Sequence, residues 1–209
     1  MTSAPPSPTL VLASSSPYRR ALLERLRMPF ETASPDIDES AGPEETARNL
    51  VTRLAKAKTL ALAPAYPAHW IIGSDQVASL PGGRILTKPG NYETAVQQLS
   101  WCSGSQVDFL TGLAVLDSAT GQIRVTCETF SVHFRELSPL QIDHYLRLEE
   151  PYDCAGSFKM EGLGIVLFEK MEGQDPNTLV GLPLIQLVSL LQEMGCDVLE
   201  NAYRSSILD

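Results

Sequence analysis

A short apolar run, Leu10-Val-Leu12, leads straight into Ala13-Ser-Ser-Ser-Pro-Tyr-Arg-Arg20 and then into the helical run Ala21-Leu-Leu-Glu-Arg-Leu26. No other stretch limits the fold as strongly, because it predicts a strand, a turn through hydroxyl residues and a helix start in immediate succession. Pro17 suits the first helical position, where its fixed φ is pre-set and its missing N–H would have been unpaired anyway. Ser16 then falls at the N-cap. A strand that turns into a helix in this way presents free backbone N–H groups and the positive end of the helix dipole to an anion. Arg19 and Arg20 add guanidinium forks suited to phosphate. An ordinary capped helix with solvated arginines is the competing reading.

Beyond this unit, Met28 to Ser34 reads as a strand, followed by the acidic run Asp36-Ile-Asp-Glu39. Glu44 to Ala63 has helical periodicity, with a stripe of Ala47, Val51, Leu54 and Ala61 on which Lys58 also falls. Trp70-Ile-Ile-Gly-Ser-Asp-Gln-Val77 is a buried-strand pattern carrying Asp75 near its end, and Ile85 to Pro89 reads as a short strand after a turn. Asn91 caps a helix to Trp101. Gln106–Asp117 and Gln122–Phe134 read as a long hairpin. The change of parity between Val125/Cys127 and Phe130/Val132/Phe134 predicts a bulge there. Ser138-Pro139 opens another helix, Leu163 to Lys170 reads as a strand, and Gly181-Leu-Pro183 opens a last helix that stops at Gly195. Strands alternate with helices early and a hairpin dominates the middle. This predicts an α/β fold with a mixed, twisted sheet flanked by helices, in one domain over residues 9–198 with two lobes around a cleft. Residues 1–8 and 199–209 are expected to be loose.

With 209 residues, 44% of them hydrophobic, the chain can bury a full core. The formal net charge of −9 argues against a nucleic-acid polymer or an anionic membrane as partner, so phosphate binding requires a local basic pocket. Cys102, Cys127, Cys154 and Cys196 are far apart and read as reduced cytoplasmic thiols. No apolar run reaches the ~20 residues needed to span a bilayer.

Arg19, Glu39, Lys58, Asp75, Lys88 and Lys159 are ionisable groups at places where core packing does not need them. Asp75 stands out, because a carboxylate inside an apolar strand is costly unless paired, metal-bound or catalytic. It could also cap a turn, and Lys58 could snorkel from the core edge. The acidic run could be a solvated loop or could hold a cation through oxygen. Together these groups point to phosphate chemistry. The histidines lack zinc spacing, and neither a Gly-x-Ser-x-Gly elbow nor a Walker or Gly-x-Gly-x-x-Gly motif is present.

Seven blocks carry a resemblance. They are Ala13–Arg20, Asp36–Glu39, Arg53-Leu-Ala-Lys-Ala-Lys58, Gly73-Ser-Asp-Gln76, Thr87-Lys-Pro89, Ala155-Gly-Ser-Phe-Lys-Met-Glu-Gly162 and Val180-Gly-Leu-Pro183. In this order they resemble the Maf family of nucleoside triphosphate pyrophosphatases, related in fold to the inosine triphosphate pyrophosphatases. The resemblance implies hydrolysis between the α and β phosphates with a divalent metal, Mg²⁺ or Mn²⁺, and a homodimer, while the cysteines and the lack of a spanning run lead to the expectation of a cytoplasmic protein. It places Ser14, Arg19, Glu39, Lys58, Asp75 and Lys88 at active-site positions. Ser14 and Arg19 are then phosphate-binding, Asp75, Lys58 and Lys88 catalytic, and Glu39 and Asp75 metal-holding.

Tyr18, Gln76 and Glu161 resemble the branch of the family that acts on 7-methyl-GTP rather than the dTTP/UTP branch. The chemistry agrees. A carboxylate at Glu161 can accept from guanine N1–H and the exocyclic amine, and an aromatic at Tyr18 attracts the cation created by N7 methylation. A dTTP/UTP pyrophosphatase and a non-catalytic nucleotide-binding regulator of cell division are the alternative readings.

Overall fold

Parallel pairing of the first strands comes directly from the strand–turn–helix unit. In the structure, a computed structural model that describes residues 9–207, β1 (Leu10–Ala13) pairs in parallel with β2 (Phe30–Ala33) on one side and β3 (Trp70–Ser79) on the other. Between them run α1 (Pro17–Glu24) and α2 (Ala47–Leu62). The short β4 (Ile85–Leu86) and the long β5 (Gln106–Asp117) both pair antiparallel with β3. α3 (Tyr92–Cys102) lies between them in sequence, and β6 (Ile123–Phe134) and β7 (Phe168–Glu172) continue the antiparallel half. The sheet order is β2-β1-β3-β5-β6-β7. The mixed sheet is the expected one. The remaining helices are α4 (Pro139–Glu149), α5 (Asn177–Val180), α6 (Leu184–Glu193) and α7 (Val198–Ser206).

β1, β3 and β5 are buried almost throughout because helices cover both faces. On one face Leu10, Leu12, Ile72, Leu113 and Val115 pack with Leu22 and Leu23 of α1 and Leu187 and Leu191 of α6. On the other, α2 lies unusually close. A Cβ on Gly73 would sit 2.3 Å from the Ala55 carbonyl oxygen, and one on Gly112 2.1 Å from that of Val51. Past the centre of the sheet, β3, β5, β6 and β7 enter a second core with α3 and α4, where Phe109, Phe134, Phe158 and Phe168 meet edge to edge at centroid distances of 4.9 to 6.1 Å. Phe158 and Leu179 of this core and Val180, which packs against the first, line the same cleft.

Several elements differ from expectation. α2 starts at Ala47 rather than Glu44, whose φ of 57° turns the chain before the Thr46 cap. The bulge in β6 is absent: pairing with β5 is unbroken from Gln106↔His133 to Leu116↔Ile123. The parity changes because the two faces of β6 are covered by different cores, Cys127 joining the α2 cluster and Phe130, Val132 and Phe134 the α3–α4 core. Leu163–Leu167 forms a 3₁₀ turn, so that strand starts only at Phe168. Leu163 N–H donates to Glu149 Oε1 at 2.9 Å instead of to a neighbouring strand, and Gly164 lies against the Lys159 carbonyl. The segment after Val198, expected to be loose, is helical to Ser206 with Asp197 as its N-cap. Residues 1–8 lie outside the described part. Among the described residues no helix is long and apolar enough to cross a membrane.

Candidate active site

Strand alternation decides which way each polar residue of β3 faces. Asp75 lies directly opposite Gly112, on the face covered by α2, while Ser74 and Gln76 face the other side. Because Gly73 and Gly112 let α2 approach closely, Lys58, one turn after Leu54, reaches Asp75. The Lys58 Nζ donates to Asp75 Oδ1 at 2.7 Å, and Glu39 Oε1 lies 2.7 Å from the same ammonium. Lys58 and Asp75 are both buried, whereas Glu39 is more than half exposed. Burial opposes ionisation of Glu39. The hydrogen bond and charge of Lys58, with the charges of Lys88 and Arg19, outweigh it and hold the carboxyl below its ordinary value.

The acidic loop is tied to α2. Arg53 donates to both oxygens of Glu45 at 2.7 and 2.8 Å and to the Ser40 carbonyl at 2.9 Å. The hydrogen bond from Arg53 lowers Glu45 to about 2. Lys56, by contrast, is exposed.

At the β1–α1 turn, Ser16 is the N-cap, its Oγ accepting from Arg19 N–H at 3.4 Å, and Pro17 is the first helical residue, as the sequence predicts. Ser14 Oγ accepts from Ser16 N–H at 3.1 Å and lies 3.5 Å from the Arg19 Nη1. Arg19 Nε donates to the Gly181 carbonyl at 2.9 Å, which also accepts from Ser74 Oγ at 2.8 Å. Gly181 has a φ of 103°, and a Cβ there would lie 3.1 Å from the Arg19 Nε, so glycine suits both the backbone and the close approach. Burial lowers the Arg19 pKa, opposed by Asp75 and Glu39, and the guanidinium stays charged.

Ser14, Arg19, Glu39, Lys58 and Asp75 line one cleft of about 570 Å³ together with Lys88, Tyr18, Gln76 and Glu161. Every predicted site residue is therefore brought to the same place. Lys159 is not: its ammonium donates to the Glu149 carbonyl at 2.6 Å and anchors the 149–162 segment to α4. The Gln76 amide donates to Thr111 Oγ1 at 3.0 Å and to the Thr178 and Leu179 carbonyls at 2.5 and 3.3 Å. Its donors are thus occupied and its carbonyl oxygen is left to accept. Thr87, beside Lys88, is held through its carbonyl by buried Gln98, which in turn accepts from Ser157 at 2.6 Å.

Sequence reasoning missed the supports. Asp175 is buried and accepts from Asn177 N–H, the Asn177 side chain and Ile185 N–H at 2.9, 2.7 and 2.9 Å, which fixes the segment bearing Gly181. The turn-forming run Asp175-Pro-Asn177 was its available signal. Asp153, Cys154 and Met160 also line the cleft. Burial first, then Cys154, Asp153, Glu161 and Glu149, push the Tyr18 phenol up. Burial above all pushes the Cys154 thiol up to about 12, so it is uncharged at neutral pH.

Glu39 and Asp75 are the carboxylates that could hold a divalent cation. Among the described residues no group of three or more His, Cys, Asp and Glu could do so alone. A two-carboxylate set fits an ion such as Mg²⁺, whose other ligands are substrate phosphates and water.

The family model for Maf-like proteins matches residues 9–194. The 7-methyl-GTP pyrophosphatases of Pseudomonas syringae pv. tomato and Pseudomonas aeruginosa are each 58% identical over 191 residues, covering 91% of this chain and 99% of theirs. Among solved structures, the Ham1 protein of Staphylococcus aureus superposes with a TM-score of 0.55 at 13% identity, over 89% of this chain and 99% of that one, a likeness of fold.

Proposed function

From the premise that the chain belongs to the Maf-like protein family, we infer that it is a nucleoside triphosphate pyrophosphatase that converts 7-methyl-GTP to 7-methyl-GMP and pyrophosphate. The observation that carries this reading is the buried Lys58 ammonium, 2.7 Å from both Asp75 and Glu39 in a cleft also lined by Arg19 and the start of α1. A core does not need three charges there, and a nucleotide sensor would need the cationic grip but not a buried carboxylate. The relatives named 7-methyl-GTP pyrophosphatase support the substrate.

In this mechanism Ser14, Arg19 and the positive end of the α1 dipole hold the polyphosphate. Asp75 accepts the proton of the attacking water as the bond between the α phosphorus and the bridging oxygen breaks. Lys58 and Lys88 neutralise the charge that builds on the departing pyrophosphate. Mg²⁺ or Mn²⁺ bound by Glu39 and Asp75 would further offset the phosphate charge. At the other end Tyr18 stacks on the base, Glu161 accepts from guanine N1–H and the exocyclic amine, and the free carbonyl of Gln76 faces the same ligand. A cytoplasmic location, which the four free cysteines suit, and a homodimer belong to the same proposal.

The test is pyrophosphate release from 7-methyl-GTP, GTP, dTTP, UTP and CTP by the wild type and by Glu161→Gln. The expected result is a preference for 7-methyl-GTP that falls by about tenfold or more in the variant, as for a lost charge-assisted hydrogen-bond pair. Activity led by dTTP and UTP would overturn the substrate, and nucleotide binding without release would overturn the reaction.

A further inference from the structure

Two clusters of charged side chains line the cleft. At one, the cations Arg19, Lys58 and Lys88 gather around Glu39 and Asp75. At the other, Tyr18 lies within the influence of Asp153, Glu161 and Glu149, and Lys159 nearby is turned away onto the Glu149 carbonyl. Glu161 has a task in reading the guanine edge, but Asp153 has none in the mechanism above. Although exposed, it is held in place. Asp153 lines the cleft, its Oδ1 accepts from the Cys154 thiol at 3.4 Å, and its loop is braced by Cys154 N–H on the Pro151 carbonyl and Ser157 N–H on the Cys154 carbonyl.

We propose that Asp153 is a specificity-determining residue, forming with Tyr18 the subsite that selects the positively charged base of an N7-methylated purine nucleotide over its neutral parent. The proposal rests on the substrate reading above. N7 methylation leaves a fixed, delocalised positive charge on the purine. An aromatic face attracts such a cation through its quadrupole, and a carboxylate beside the ring adds Coulomb attraction that weakens with salt. The neutral base of GTP gains neither. Negative charge then faces the cationic base, while Arg19, Lys58 and Lys88 face the polyphosphate.

The experiment compares kcat/KM for 7-methyl-GTP and for GTP in the wild type, Asp153→Asn and Asp153→Glu, at low and high salt. In Asp153→Asn the ratio of the two is expected to fall by about three- to fivefold, the size of a solvent-exposed charge interaction. The fall should lie in KM for 7-methyl-GTP, shrink as salt rises, and be reversed in Asp153→Glu. A wild type that prefers 7-methyl-GTP together with an Asp153→Asn variant of unchanged ratio, or one that loses both substrates equally, overturns the role of Asp153 and leaves the substrate reading standing. A wild type with no preference for 7-methyl-GTP overturns both.

Discussion

The phosphate end and the base end of the cleft are built from different materials. Asp75 comes from the middle of a ten-residue strand, Lys58 from a sixteen-residue helix, Ser14 from the turn that joins β1 to α1, and Arg19 from the first turn of α1. Glycines that admit no side chain set the spacing between α2 and the sheet. At the base end Tyr18 and Gln76 share α1 and β3 with that frame, but Asp153, Cys154, Met160 and Glu161 sit on the irregular stretch between α4 and β7, where Gly156 and Ser157 both have positive φ. Bond cleavage needs groups held to a fraction of an ångström on rigid elements, whereas the choice of base can be altered on a loop without disturbing that frame. Variants at the phosphate end should therefore slow every nucleotide alike, and variants at the base end should reorder them.

The sharpest test is Asp75→Asn. Its kcat/KM is expected to fall by about 10²- to 10⁴-fold, the range for losing a positioned base, equally across purine and pyrimidine nucleotides in a steady-state comparison. A variant that slows only some of them would break the contrast. Asp175→Ala probes the frame's support: it strands part-buried N–H groups of Asn177 and Ile185, at a cost of about 1 to 2 kcal/mol in urea unfolding. Because the segment bearing Gly181 then moves, KM should rise for all nucleotides together. The smallest effect concerns the tether of the Glu39 loop. Arg53 lowers Glu45 from its ordinary 4.5 to about 2, so the unfolded chain takes up this proton first. That contribution is complete above pH 4.5 and is lost as pH falls toward 2. The stability advantage of the wild type over Glu45→Gln, read from urea midpoints, should therefore shrink across this window. An unchanged advantage would mean that the loop is not held by this pair.

The phosphate end was legible in the sequence because its residues break the pattern around them: a carboxylate in an apolar strand, a lysine on a helix's inward stripe, serines and arginines at a helix start. Tyr18, Gln76 and Glu161 break no such pattern and were marked by family resemblance. The supports were less visible. The four residues of α5 are too few to show a period, the role of Asp175 depends on a turn that brings Ile185 N–H back to it, and that of the Gly181 carbonyl arises from contacts with distant segments. The apolar run Leu163–Leu167 reads equally as strand or turn, and only Glu149 and the close approach at Gly164 decide between them. The missing bulge in β6 has a similar cause, since a strand that crosses from one core to another changes parity without changing register.

The bond from Arg19 to the Gly181 carbonyl spans 162 positions of the chain. A ribosome delivers Ser14, Arg19, Glu39, Lys58, Asp75 and Lys88 in the first half of synthesis, but the acceptor that aims the arginine emerges near the end. Every charge of the site thus exists on the nascent chain before the grip on phosphate does. Nucleotide turnover becomes a property of the finished polypeptide alone, and a product truncated ahead of Gly181 would carry the catalytic side chains without their aim.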